Sequence, residues 1–95
     1  MKRVIIDDIE YEIVNDYRDG YDEAVFKEKY TDYFHEFDYI VGDWAYNKLR
    51  LKGFYDEKNP KCTKINNIKN LDNYLKNYCA YGCKWFELKK VVETI

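Results

Sequence analysis

Residues 2–14, KRVIIDDIEYEIV, constrain the fold more tightly than any other stretch, because they pair with themselves in one register. With Asp7-Asp8 as a two-residue turn, Ile6 faces Ile9, Val4 faces Tyr11 and Lys2 faces Ile13. Strand side chains alternate between faces. Val4, Ile6, Ile9, Tyr11 and Ile13 therefore share one apolar face, while Arg3 stands opposite Glu12 on the other. A slip of one residue would turn one strand's apolar set to the wrong face, so the pattern specifies a hairpin and its register. The apolar face then needs a second layer to cover it.

The rest of the chain supplies that layer. NDYRDG (15–20) is turn chemistry. Asp22 suits a helix N-cap, and Glu23 sits in the first turn, where the helix dipole favours an anion. Phe26, Tyr30, Tyr33, Phe34 and Phe37 recur at helical spacing, which predicts one helix with an aromatic stripe facing the core. DYIVGD (38–43) reads as a buried strand and residues 48–55 as its partner, with Trp44 to Asn47 turning between them. DEKNPKC (56–62) carries the sole proline and is a loop. A second helix fits 70–80, capped by Asn70, with Leu71, Leu75 and Tyr78 on one face and Gly82 following its end. Residues 84–91 close the chain as a strand with Phe86 and Leu88 turned inward. The order β-β-α-β-β-α-β predicts one α+β domain over residues 1–95, with a mixed or antiparallel sheet and both helices packed on one face. The helix between strands 2 and 3 permits one parallel pairing.

Composition agrees. An aromatic share of 19%, with eleven tyrosines, gives 95 residues enough apolar area for one core. No apolar run approaches the roughly 20 residues of a membrane span. The opening apolar run, Val4 to Ile6, is cut short by two aspartates, which argues against a secretion signal and for a cytoplasmic location. Three cysteines, an odd number, argue against a disulfide framework and fit a reducing compartment, with all three thiols reduced. Cys62, Cys79, Cys83 and His35 could in arithmetic make a zinc site. The C-x-x-x-C spacing of Cys79 and Cys83 is not the common one, and Cys62 and His35 have no motif context. Unreactive thiols are the expectation, with no metal and no cofactor.

Charge is uneven along the chain. Residues 1–43 hold five Lys/Arg against thirteen Asp/Glu, a net of −8, and residues 44–95 hold eleven against five, a net of +6. Lys48, Arg50 and Lys52 recur every second residue with Leu49 and Leu51 between them, placing three cations on one strand face. The two halves can neutralise each other, or the basic surface can meet an acidic partner. Arg50, mid-strand, is expected to be held by a carboxylate from the facing strand, Asp38 or Asp43, leaving both lysines for a partner.

Three stretches resemble the YutD-like family of small proteins from low-GC Gram-positive bacteria: EIVNDYRDGYDE (12–23), DYIVGDWAYNKLRLKGFY (38–55) and YCAYGCKWFELKKV (78–91). The likeness spans roughly residues 10–91 in order, and GDW followed by LRLKGFY is its most specific part. It implies a cytosolic bacterial protein of unknown function and supplies no catalytic residues. It associates Cys79, Gly82 and Cys83 with a recurring family feature and leaves Cys62 outside it.

No Gly-rich phosphate loop, nucleophile elbow or metal-binding His pair is present. The first reading is a non-enzymatic protein-interaction module that uses an aromatic and basic surface, with Lys48, Lys52, Arg50, Trp44, Tyr55 and Asp43 as candidate binding residues and an unknown protein partner. The alternative is binding to single-stranded RNA or the ribosome through the Lys48/Arg50/Lys52 stripe, with Trp44, Phe54 and Tyr55 to stack on bases. The sequence pI of about 5.4 weighs against that alternative. A third is a small enzyme built on a carboxylate such as Asp43, at a strand end between Gly42 and Trp44.

Overall fold

A computed structural model of the chain describes residues 2–78 and 83–91. The first hairpin forms in the expected register. β1 (Arg3–Ile6) and β2 (Ile9–Tyr17) pair Ile6 with Ile9, Val4 with Tyr11 and Arg3 with Glu12. Asp7 and Asp8 both take positive φ, 51° and 63°, the left-handed pair that a two-residue turn needs to match strand twist.

The second hairpin turns later than expected. β3 (Tyr39–Ala45) runs through Trp44, and Tyr46 and Asn47 alone make the turn, at φ 52° and 62°, before β4 (Lys48–Phe54). Trp44 remains in the ladder opposite Leu49 because its indole packs against the core. β5 (Trp85–Lys90) inserts between β2 and β3, giving the order β1-β2-β5-β3-β4. Every strand pairing in it is antiparallel. The parallel pairing that the first crossover permits does not form, because β5 occupies the place beside β2. One isolated parallel bridge joins Tyr55 to Asn67.

The expected long first helix is broken. α1 covers only Glu23–Lys29, Tyr30 is extended at φ −70°, ψ 134°, and a separate 3-10 turn spans Asp32–Glu36. Thr31 is extended too, as a β-branched residue favours. The break lets Tyr30 reach the sheet, where its hydroxyl lies 2.7 Å from that of Tyr11. Asp22 caps α1 by accepting from the Val25 amide, as the sequence indicates. α2 (Leu71–Tyr78) is preceded by a 3-10 turn, Ile68–Asn70, which is capped by the Asn67 side chain. Asn70 is thus the end of that turn. The expected last residues of the helix, 79–80, and the residues Cys79 and Gly82 lie outside the described residues.

The two helices lie on opposite faces of the sheet, not on one. Along β3, Ile40 joins a cluster with Tyr11, Phe26, Phe34, Phe86 and Leu88, while Val41 joins another with Phe54, Leu71, Tyr74 and Leu75. Successive residues of a strand point oppositely, so α1 with its 3-10 turn covers the first face and α2 covers the second. Both faces carry apolar stripes, and each needs its own cover. Gly42 is required on the first face: a Cβ there would sit 2.3 Å from the Phe86 ring.

Cys62 is a free thiol, whereas Cys83 is disulfide-bonded, which corrects the expectation of three reduced thiols. An odd count leaves room for one bond beside one thiol. Among the described residues no helix is long and apolar enough to cross a membrane.

Candidate functional site

β3 and β4 carry five of the six candidate residues, Asp43 and Trp44 on the first and Lys48, Arg50 and Lys52 on the second. Asp43 stands opposite Arg50, Val41 opposite Lys52 and Ala45 opposite Lys48. Asp43 is completely buried on the α2 face. Arg50 donates to its Oδ2 from Nε at 3.2 Å and Nη2 at 2.5 Å, while the Tyr74 hydroxyl donates to Oδ1 at 3.1 Å. A buried carboxylate is tolerated only when it is paired and its oxygens are occupied, and both oxygens of Asp43 are. The Arg50 guanidinium, whose side chain is 44% exposed, is held charged to higher pH than usual by that hydrogen bond. Asp38, the other carboxylate considered for Arg50, instead accepts from the Asp56 amide and the Asn59 side chain, fixing the start of the loop after β4.

The remaining candidates differ in kind. Lys48 is exposed. Lys52 lies over the rings of Phe54 and Tyr74, at 5.3 and 5.9 Å from their centroids. Trp44 is half-buried, its indole N–H donating to the Gly20 carbonyl at 2.7 Å and Lys84 sitting over its ring. Tyr55 is buried against Phe37, ring to ring at 4.8 Å, and burial pushes its hydroxyl pKa up. Phe54 is fully buried, so neither ring at the end of the stripe faces solvent.

Beside the stripe, along the outer edge of β4, runs a groove of about 740 Å³. Its floor includes residues 50–53, its walls Tyr33, Phe37, Tyr55, Ile65 and Tyr74. Tyr33 and Ile65 leave much of their apolar surface in solvent, 63% and 73% of each residue. At one wall Lys61 binds Glu36 at 2.6 Å, which holds the Glu36 carboxyl below its usual range and raises Lys61. The 63–66 wall is closed by reciprocal Thr63 and Asn66 bonds.

Tyr74 is the site residue that sequence reasoning missed. It follows Leu71 by three and so shares its helix face, yet the stripe of Leu71, Leu75 and Tyr78 leaves it out. The loop residues Ile65 and Asn66 carry no pattern that predicts their return to the β4 edge.

The geometry has well-matched relatives. The sequence model of the YutD-like family, described as "Putative antitoxin YutD-like", matches residues 5–89. The chain is similar to "Putative antitoxin YutD" of Bacillus subtilis (strain 168), 46% identical over 88 residues, which is 93% of this chain and 97% of that protein. It also resembles the solution NMR structure of protein yutD from B. subtilis, at 42% identity and a TM-score of 0.82, covering 100% of this chain and 86% of that one.

Proposed function

We propose, for a chain that belongs to the YutD-like family, that it works by binding another protein and not by catalysis. The observation that carries this reading is the placement of the basic stripe: it lies on an edge strand beside an open groove with exposed apolar walls. Interfaces of that kind join an aromatic and aliphatic centre to a charged rim. Lys48 and Lys52 form the rim, and Arg50, fixed by Asp43, holds the strand's polar face in place. The description "putative antitoxin" given to the B. subtilis relative fits a chain whose work is to engage a partner.

The burial of Asp43 supports the non-enzymatic reading. A catalytic carboxylate must reach its substrate, and this one has no exposed surface and spends its oxygens on Arg50 and Tyr74. RNA binding receives less support from the stripe, since Phe54 and Tyr55 are buried and the Trp44 indole is bound to Gly20. Among the described residues the ring most available to a base is Tyr46 at the hairpin tip, 98% exposed.

Affinity capture from a cell lysate, with and without nuclease, tests the reading. A protein retained after nuclease treatment, and released by Lys48→Glu with Lys52→Glu, is the expected result. Capture that disappears with nuclease, and binding to mixed RNA oligonucleotides that weakens steeply with salt, would move the assignment to nucleic acid.

A further inference from the structure

We infer that the outer edge of β4 receives an extended, acidic segment of a partner protein as an added sixth strand, a mode that rests on the protein-binding reading above.

The backbone states which groups are on offer. In a two-residue hairpin the residues flanking the turn form a hydrogen-bonded pair, and such pairs recur at every second position. Ala45 and Lys48 flank Tyr46-Asn47. Lys48, Arg50, Lys52 and Phe54 therefore direct their amides and carbonyls at β3, and Leu49, Leu51, Gly53 and Tyr55 direct theirs outward. Two contacts check this parity. The Phe54 carbonyl accepts from Asp38 on the β3 side, and Tyr55, of the outward set, bonds through its amide to the Asn66 carbonyl and through its carbonyl to the Ile68 amide. The chain thus lays a single bridge of its own on this edge at Tyr55 and then turns away into the 3-10 turn. Among the described residues no backbone partner is found for the outward groups of Leu49, Leu51 and Gly53.

An unpaired strand edge is a template for another strand. The groove lies along this same stretch, with Tyr33, Phe37 and Tyr55 beyond the face that carries Leu51 and Gly53, and Ile65 and Tyr74 beyond the face of Arg50 and Lys52. The opposite edge offers less: β1 has four residues, and by the same parity only Arg3 and Ile5 point outward.

Charge selects the occupant. A second copy adding β4 to β4 would bring Lys48, Arg50 and Lys52 beside their own kind, and like charges on neighbouring strands repel. A strand with Asp or Glu at alternate positions answers Lys48 and Lys52 on one face, Arg50 being already paired with Asp43, and presents apolar side chains to Leu51 and the ring-lined wall on the other. The partner's recognised feature is then five or six extended residues alternating acidic with apolar.

The test uses the whole chain, isotopically labelled, and an acetylated heptapeptide alternating glutamate with valine. The expected result is slowed exchange at the amides of Leu49, Leu51 and Gly53, with those of Arg3 and Ile5 unchanged. A peptide with lysine in place of glutamate should leave all five unchanged. Lys48→Glu with Lys52→Glu should weaken the acidic peptide about tenfold or more, because two rim attractions become repulsions. No protection at the three amides with saturating peptide overturns the inference, as does equal binding of the lysine peptide. A partner protein captured as described above whose footprint spares β4 also overturns it, while leaving the protein-binding reading in place. Capture that depends on nucleic acid removes that reading first.

Discussion

The two faces of the sheet are built on different principles. The α1 face is an aromatic core: Phe26 meets Phe86 and Tyr30 edge-on, Tyr21 meets Phe86 at 88°, and the Tyr11 and Tyr30 hydroxyls meet at 2.7 Å. The α2 face buries two carboxylates, Asp43 and Glu87, answered by Arg50, Tyr74 and the Asn15 side chain. Ring packing tolerates small adjustments and derives its stability from area. A buried carboxylate tolerates none, because each oxygen needs its partner. The first face stabilises the fold, and the second fixes the geometry of the edge strand that carries the basic stripe.

The largest effect should come from the aromatic face. Phe86→Ala removes a fully buried ring shared by Phe26 and Tyr21, and should cost about 3–5 kcal/mol in urea denaturation. A loss below about 1 kcal/mol would mean that this face is not the main source of stability.

On the polar face, Asp43→Ala strips two donors of their acceptor and should cost about 2–4 kcal/mol. Arg50→Ala should cost less, about 1–2 kcal/mol, because Arg50 is partly exposed and water can approach the carboxylate it leaves. The double variant should cost less than the two singles together, since the pair acts as a unit. Additive losses would break the contrast between the faces, as would Arg50→Ala melting like the parent.

Much of this architecture was legible in the sequence, and what was not shares one physical origin. Turn pair and alternation set the Asp7-Asp8 hairpin, and alternation alone told that Lys48, Arg50 and Lys52 share a face. The inward Phe86 and Leu88 were legible too. These are local patterns. The central place of β5, the assignment of α1 and α2 to opposite faces and the full burial of Asp43 depend on contacts between residues far apart in sequence. The spacing of Phe26, Tyr30, Tyr33, Phe34 and Phe37 suits a continuous helix, yet Tyr30 leaves it to reach Tyr11, nineteen positions earlier. Tertiary packing overrode local period.

Alkaline titration sharpens the comparison further. Burial raises the hydroxyl pKa of Tyr11 and Tyr30 and pushes Tyr21 up to about 12, all on the α1 side. At pH well below 10 these tyrosines are protonated in both folded and unfolded chains, so the stability they contribute is fully present. Above the ordinary value of 10.0 the unfolded chain loses these protons first, and stability falls as pH rises toward the folded values. Each such tyrosine contributes a slope of at most about 1.4 kcal/mol per pH unit. Phenolate absorbance should show Tyr11, Tyr21 and Tyr30 ionising above pH 10.0 and together with unfolding. Ionisation of Tyr11, Tyr21 and Tyr30 at the ordinary value of 10.0, without unfolding, would deny the aromatic face its burial.

The smallest effect on stability should come from the lysines, and it is the most telling for function. Lys48 is exposed beside the turn, and Lys52 contributes only ring contacts at 5.3 and 5.9 Å. An exposed cation such as Lys48 changes stability by no more than about 0.5 kcal/mol, and a cation–ring contact such as that of half-buried Lys52 adds about 0.5–1 kcal/mol, so Lys48→Ala with Lys52→Ala should cost about 1 kcal/mol at most. The same pair supplies the charged rim of the β4 edge, and its removal should weaken capture of the partner and reduce the salt dependence of what binding remains. Arg50→Ala should do the reverse in proportion, lowering stability more than binding, because its charge is spent on Asp43. If the lysine variant binds as the parent does while Arg50→Ala abolishes binding without loss of stability, then Arg50 serves the partner and not the fold. The polar face would then be itself the binding surface and not its support.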